Sequence, residues 1–264
     1  LLVHNSLILE CYTKGMTTVI LFVFGLIVGS FLNVLGLRWN SGVSVGGRSF
    51  CVACKKPLRF WELVPMMSFI GLGGKCGGCK TKISWQYPLV ELWTALLFIS
   101  ITNYLALIVF CIYAVITIYD SRHKIIPDAL SYSALIIAIT YRFMIGGSST
   151  LDWFAGPILF LFFFLIWWIS KGRAMGFGDA KLALSVGILL GAANGFSALV
   201  LAFVIGSVMS LAYMGLTKVL GPLFNDQKRL TMSSEIPFAP FLVFGAWLAL
   251  IYNLDLLNVL TLFK

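Results

Sequence analysis

Apolar residues along this chain are gathered into long uninterrupted runs, several of them near the roughly 20 residues that a helix needs to cross a bilayer. The clearest cover residues 17–37, 126–145, 151–170, 196–217 and 237–253, and their only acidic residues are Asp128 and Asp152, close to the ends. Residues 87–119 read as a hairpin of two shorter helices turning at Asn103, and 180–193 as a short helix ending in the turn Gly191-Ala192-Ala193-Asn194-Gly195. Strict alternation of apolar and polar positions is absent, which argues against a membrane β-barrel. The pattern predicts an all-α polytopic membrane protein with about eight transmembrane helices.

Composition and charge fit that reading. Of 264 residues, 60% are hydrophobic and 11% charged, against roughly a quarter charged in a soluble domain. Sixteen of the 19 Lys and Arg residues fall in loops 38–86, 120–125, 171–181 and 218–229, leaving Lys14, Arg142 and Lys264 elsewhere. These loops are alternate connections in the eight-helix reading. The positive-inside rule therefore makes them cytoplasmic and puts both termini outside. The net charge of +9 is then a consequence of topology, and lipid rather than nucleic acid is the expected partner. The chain begins with Leu1, while Met16 directly precedes the first apolar run. Residues 1–15 are expected to be an N-terminal tail outside the native protein and 16–37 the first transmembrane helix, too long for a cleaved signal peptide.

The one large polar segment, 38–86, carries Cys51-Val-Ala-Cys54 and Cys76-Gly-Gly-Cys79. Two C-x-x-C pairs at this separation have the spacing of a zinc ribbon, in which four thiolates close a tetrahedral structural site. A pair of disulfides or a redox role is the rival reading, but a loop this basic is expected to face a reducing cytoplasm. Cys11 and Cys111 have no partner by spacing.

Among only ten acidic residues, Asp120 and Asp179 are singled out by position. Asp120 closes the apolar run "VITIYD" and Asp179 opens "DAKLALSVGILL", so the topology puts both at cytoplasmic helix ends. Ionisable groups at membrane depth are costly and are functional candidates by default; the alternative is an interfacial carboxylate paired with Lys124 or Lys181. Two adjacent carboxylates share one proton, which is the arrangement of an aspartic peptidase: one activates water and the other polarises the scissile carbonyl and protonates the leaving amine. Gly176 and Gly178, with Lys181 beyond them, form a segment where the backbone is expected to unwind and an extended substrate to approach. Asp128, following Pro127, is expected to cap the next helix. Other chemistries fail by inventory: His4 and His123 are the only histidines, and no H-E-x-x-H, G-x-S-x-G or phosphate-binding glycine loop occurs. A non-enzymatic ion transporter or a scaffold with a zinc-stabilised loop is the alternative from another class.

The motifs GSFLNV (29–34), CVAC, CGGC, WELVPMMSF (61–69), QYPLVEL (86–92), YDSRHKIIPD (119–128), GFGDAKL (176–182) and IPFAPFL (236–242) together resemble those of the type IV prepilin peptidases, or prepilin leader peptidase/N-methyltransferases. The resemblance runs from about residue 16 to the C-terminus and makes residues 87–264 the peptidase core. It implies an inner-membrane aspartic endopeptidase of the GxGD type with Asp120 and Asp179 as its catalytic pair. The implied substrates are prepilins or pseudopilins with a short basic leader, cut after Gly on the cytoplasmic side, and many members then methylate the new N-terminus with S-adenosylmethionine. Glu62 and Glu91 are the candidates for that second activity. Ala239 departs from the pattern, where Gly is more usual, with an expected effect on packing more than chemistry.

Overall fold

A computed structural model describes the backbone of residues 2–146, 149–224 and 237–256 and the side chains of 15–146, 149–215 and 237–256. Glu10, Cys11, Asp226, Glu235 and the cations Lys14, Lys218, Lys228, Arg229 and Lys264 lie outside the described side chains. Among the described residues there is no strand; the regular structure is helical apart from two isolated β-bridges. Helix is the natural choice in lipid, because it satisfies every backbone N–H and C=O within the segment. Five helical segments are long and apolar enough to cross a membrane: Gly15–Arg38, Tyr104–His123, Asp128–Ile145, Thr150–Ser170 and Phe177–Gly215.

The chain forms two compact units, Leu1–Ile118 and Tyr119–Lys264. In the first, α1 (Leu2–Arg38) runs without a break through Met16. It ends where the Arg38 guanidinium donates to the carbonyls of Ser44, Val45, Gly47 and Arg48, which folds the start of the polar loop over the helix end. A 3-10 turn (Phe60–Leu63) and α2 (Met67–Gly71) follow within that loop. Then come α3 (Gln86–Ser100) and α4 (Tyr104–His123). The turn expected at Asn103 is present: its Oδ1 accepts from the N–H groups of Leu105 and Ala106, capping α4. Gly25 and Gly29, one turn apart on α1, let α3 come close. A Cβ there would lie 2.6 Å from the Ala95 Cα and 2.8 Å from the Glu91 Cα, the small-residue packing expected where lipid supplies no hydrophobic drive for helix association.

The second unit holds α5 (Asp128–Ile145), α6 (Thr150–Ser170), α7 (Phe177–Phe224) and α8 (Ala239–Tyr252). The expected 180–193 helix and its five-residue turn are corrected here. The first arm of α7 starts at Phe177 and the break is one residue, Gly191, at φ 79° and ψ −172°. Residues eight apart in a continuous helix would be separated by about 12 Å. Yet a Cβ on Gly195 would lie 3.6 Å from the Gly187 Cα, so the chain doubles back at Gly191.

A buried polar clamp makes so tight a reversal possible. Arg142, 8% exposed, donates through Nε to the Ile188 carbonyl at 3.0 Å and through Nη2 to that of Leu189 at 3.1 Å, at the end of the first arm. Asp152 Oδ1 accepts from the Ala192 N–H at 2.9 Å, at the start of the second. With orphan carbonyls and an orphan N–H both satisfied by side chains, no further turn residues are needed. Asp152 also closes the capping box of α6 with Ser149.

Candidate active site and cysteine centre

The second unit brings Asp120 and Asp179 together. Asp120 lies in the last turn of α4, and Asp179 is the third residue of α7. They are 5% and 8% exposed respectively, and close enough for the Asp120 charge to act on Asp179. Each meets the N-terminal end of a helix, where unpaired N–H groups and the macrodipole favour negative charge. The Asp179 carboxyl turns back to the Gly176 N–H, while its own N–H donates to the Gly176 carbonyl at 3.2 Å. Asp120 receives the Ala239 N–H at the start of α8. Ala239 therefore touches the site, but through its backbone, which glycine would supply equally. Asp120 Oδ2 is buried and has no hydrogen-bond partner.

The two glycines are not equivalent. Neither has a positive φ. Gly176 precedes α7 and its backbone is tied to Asp179, whereas Gly178 is inside the first helical turn. A Cβ on Gly178 would lie 2.8 Å from that of Ile126, so this glycine admits a close neighbour and does not unwind the helix. Lys181 does not pair with Asp179. Its Nζ lies 2.6 Å from Asp128 Oδ1 and over the rings of Phe177 (4.9 Å) and Tyr132 (5.8 Å). Asp128 opens α5 as expected, but its carboxylate makes this ion pair rather than a helix cap. Beside the pair lies a cleft of about 300 Å³, lined by Ser131, Tyr132, Leu135, Phe160, Phe177 and Leu184 with Lys181. His123 stacks on Tyr119 with ring centroids 4.4 Å apart.

In the first unit, the ligand atoms of Cys51, Cys54, Cys76 and Cys79 all lie within 4.8 Å of one another. The two pairs sit on matching knuckles. Cys51 N–H donates to the Lys56 carbonyl and Lys55 N–H to that of Cys51; Cys76 and Lys80 repeat the pattern with Thr81 and Cys76. Lys55 and Lys80 both adopt φ 59°, and the bridges Phe50↔Pro57 and Lys75↔Lys82 close the knuckles. Four sulfurs about 2.3 Å from a tetrahedral zinc ion would be about 3.8 Å apart. The Cys51–Cys79 separation is 3.8 Å, so the cluster fits zinc, and the cysteines are free rather than bridged. The Thr81 hydroxyl and backbone pull the Cys79 thiol down to about 6. Cys54, although the Lys56 backbone draws it down, is pushed up to about 11, first by its hydrogen bond to Cys79. Such a split is expected when neighbouring thiolates compete for charge.

Glu62 and Glu91 have separate environments. Glu62 Oε2 accepts from the Arg59 N–H at 2.7 Å, closing the 3-10 turn, and Glu62 lies against Gly77 of the second knuckle. Glu91, 6% exposed on α3, accepts from the Met66 N–H at 2.8 Å and from Ser30. Met66 has φ 58° and ψ −51°, and the Met67 N–H reaches the Pro65 carbonyl at 2.5 Å. This is a γ-turn of the rare, strained hand. Asn33, wholly buried, donates to the carbonyls of Gly29 and Tyr87, while its Oδ1 has no partner. Asn33, Arg142 and the γ-turn were not singled out from the sequence; a buried polar residue inside an apolar run is the signal that could have flagged the first two.

Comparison with known proteins gives a family for each half of the chain. The bacterial peptidase A24 N-terminal domain matches residues 23–105, and the type IV leader peptidase family matches residues 105–211. The prepilin leader peptidase/N-methyltransferase of Aeromonas hydrophila is 30% identical over 272 residues, covering 89% of this chain and 90% of the relative. The enzyme of that name from Bacillus subtilis (strain 168) is 32% identical over 248 residues, covering 89% and 94%. That of Pseudomonas aeruginosa is 29% identical over 269 residues, covering 88% and 89%. No solved structure matches the chain.

Proposed function

Because this chain belongs to the prepilin leader peptidase/N-methyltransferase family, we propose that it cuts the leader from type IV prepilins or pseudopilins with Asp120 and Asp179, and that the exposed amine is then methylated. The observation that carries the peptidase half is the burial of both carboxylates at helix ends of one unit, within reach of each other's charge. Sharing a proton, the pair can supply one base and one acid to a peptide bond. Asp120 Oδ2, buried and without a partner, is the acceptor open to a water molecule. Asp179, held by Gly176, polarises the scissile carbonyl and passes its proton to the leaving amine. The apolar cleft beside Lys181 suits the side chains of the apolar stretch that follows the scissile Gly. The basic loops on alternate connections support a cytoplasmic active-site face in the inner membrane of a prokaryote.

Zinc, held by Cys51, Cys54, Cys76 and Cys79, would close the polar loop into one folded module; its contribution there is structural, since four protein thiolates leave no open position. S-adenosylmethionine would supply the methyl group. The acceptor-rich surroundings of Glu91 and Asn33 in the first unit suit chemistry that brings a positively charged donor to an amine. Incubating the purified protein with a synthetic peptide bearing a basic leader, a Gly and an apolar stretch, then weighing the products by mass spectrometry, tests both halves. Absence of cleavage by the inserted, folded protein would overturn the reading.

A further inference from the structure

Three of the chain's motifs, far apart in sequence, converge in the first unit on a site that peptide cleavage does not use. GSFLNV supplies Ser30 and Asn33, WELVPMMSF supplies the γ-turn at Met66, and QYPLVEL supplies Tyr87 and Glu91. The α1–α3 crossing makes this possible: Gly29 lets the Glu91 backbone approach, and Asn33, one turn along α1, faces Tyr87, one turn back along α3.

The chemistry of the site is lopsided. Glu91 is a carboxylate 6% exposed, and no Lys or Arg pairs with it among the described residues. Asn33 is 0% exposed, and while its amide nitrogen has two carbonyl partners its oxygen has none. A buried carboxylate and a buried orphan acceptor within adjacent turns are each costly unless something donates to them. A strained turn held by that same carboxylate is the kind of backbone outlier that persists where a site requires it. What the site lacks is a compact cation with several hydrogens to donate.

We propose that Glu91 and Asn33 seat the N-terminal ammonium group of the cleaved substrate for methylation. The assignment rests on the methyl-transfer half of the proposed function. An ammonium group offers three donors: the Glu91 carboxylate and Asn33 Oδ1 accept two, and the Met66 turn keeps Glu91 in place. An ammonium nitrogen has no lone pair and cannot accept a methyl group. Transfer of one proton to Glu91 breaks an N–H bond and forms an O–H bond, converting the ammonium and carboxylate into a neutral amine and a neutral acid with the lone pair free.

The test uses the full-length protein in nanodiscs and two fluorescent peptides with the sequence that follows the cleavage point, one with a free amine and one N-acetylated. Wild-type protein should bind the free-amine peptide more tightly, and Glu91→Gln should reduce that preference by about ten-fold or more, the loss expected for one charge-assisted hydrogen bond. Glutamine can still accept from the Met66 N–H, so the turn survives the loss of charge. Asn33→Leu should weaken the same preference. With the uncut substrate, the methylated fraction of the cleaved product should fall in both variants. Equal binding of the two peptides by wild-type protein, or a Glu91→Gln variant that keeps the full preference and methylated fraction, would overturn the assignment. A wild-type protein that cuts no peptide would instead overturn the proposed function itself.

Discussion

Lys181 reaches across to Asp128, its Nζ 2.6 Å from Oδ1, instead of turning to Asp179 two residues away in sequence. The Asp179 carboxyl is thereby left to Gly176 and Asp120, with no cation tied to it in the described structure. The ion pair joins the start of α5 to the start of α7, near the point where Ile126, just before α5, packs against Gly178. Asp128 is 62% exposed on its side chain, so the pair contributes no more than about 1 kcal/mol. Asp128→Asn should therefore keep most of the cleavage rate and shift thermal unfolding only slightly. Initial rates and melting curves of the purified variant check this; loss of cleavage on the scale of Asp120→Asn would move Asp128 into the catalytic machinery.

Gly178 offers a sharper distinction between packing and substrate access. A methyl group there would lie 2.8 Å from the Ile126 Cβ, an overpacking that costs about 1–3 kcal/mol. Gly178→Ala should lower both stability and cleavage, Gly178→Val more so, and adding Ile126→Ala to Gly178→Ala should restore much of both. A double variant with recovered melting temperature but no cleavage would show that substrate, rather than Ile126, needs the space.

At the far end of the first arm of α7, Arg142→Met should leave the Ile188 and Leu189 carbonyls without their donor. The cost expected for buried groups left unsatisfied is about 1–3 kcal/mol. Gly191→Ala should be at least as damaging, since φ is 79° and the new methyl would crowd Asp152 and Arg142. Both should lower the melting temperature in detergent. Unchanged melting of Arg142→Met would show that the reversal holds without its clamp.

The cysteine cluster should hold about one zinc ion per chain, and replacing any of Cys51, Cys54, Cys76 or Cys79 with Ser should reduce metal content and expose the polar loop to protease. Elemental analysis and limited proteolysis measure the two effects. Zinc-free protein with an equally protected loop would contradict a metal-closed module.

What the sequence could reveal depended on the range of the interaction. Long apolar runs marked the helices, because the bilayer imposes a length; paired C-x-x-C spacing marked the cysteine cluster, because each pair is local. Asp120 and Asp179 stood out as acids at the ends of apolar runs. The partner of Lys181 was not legible, because Asp128 is 53 residues away and several carboxylates were equally available. Nor was the one-residue reversal at Gly191: glycine, alanine and asparagine together read as a loop, and only Arg142 and Asp152, distant in sequence, make a longer turn unnecessary. Asn33 shared that fate, since a single amide in an apolar run acquires meaning only when its neighbours are known.

The most direct test of the Asp120–Asp179 pair is mass spectrometry of a prepilin peptide incubated with membranes carrying wild-type protein, Asp120→Asn or Asp179→Asn at matched levels. Each substitution keeps the size of the side chain and removes the charge. Both variants should insert normally and cut at least about 100-fold more slowly than wild type, the scale of a lost general acid or base. Near-normal cleavage by either variant, inserted at wild-type levels, would contradict a shared-proton aspartic mechanism at this site.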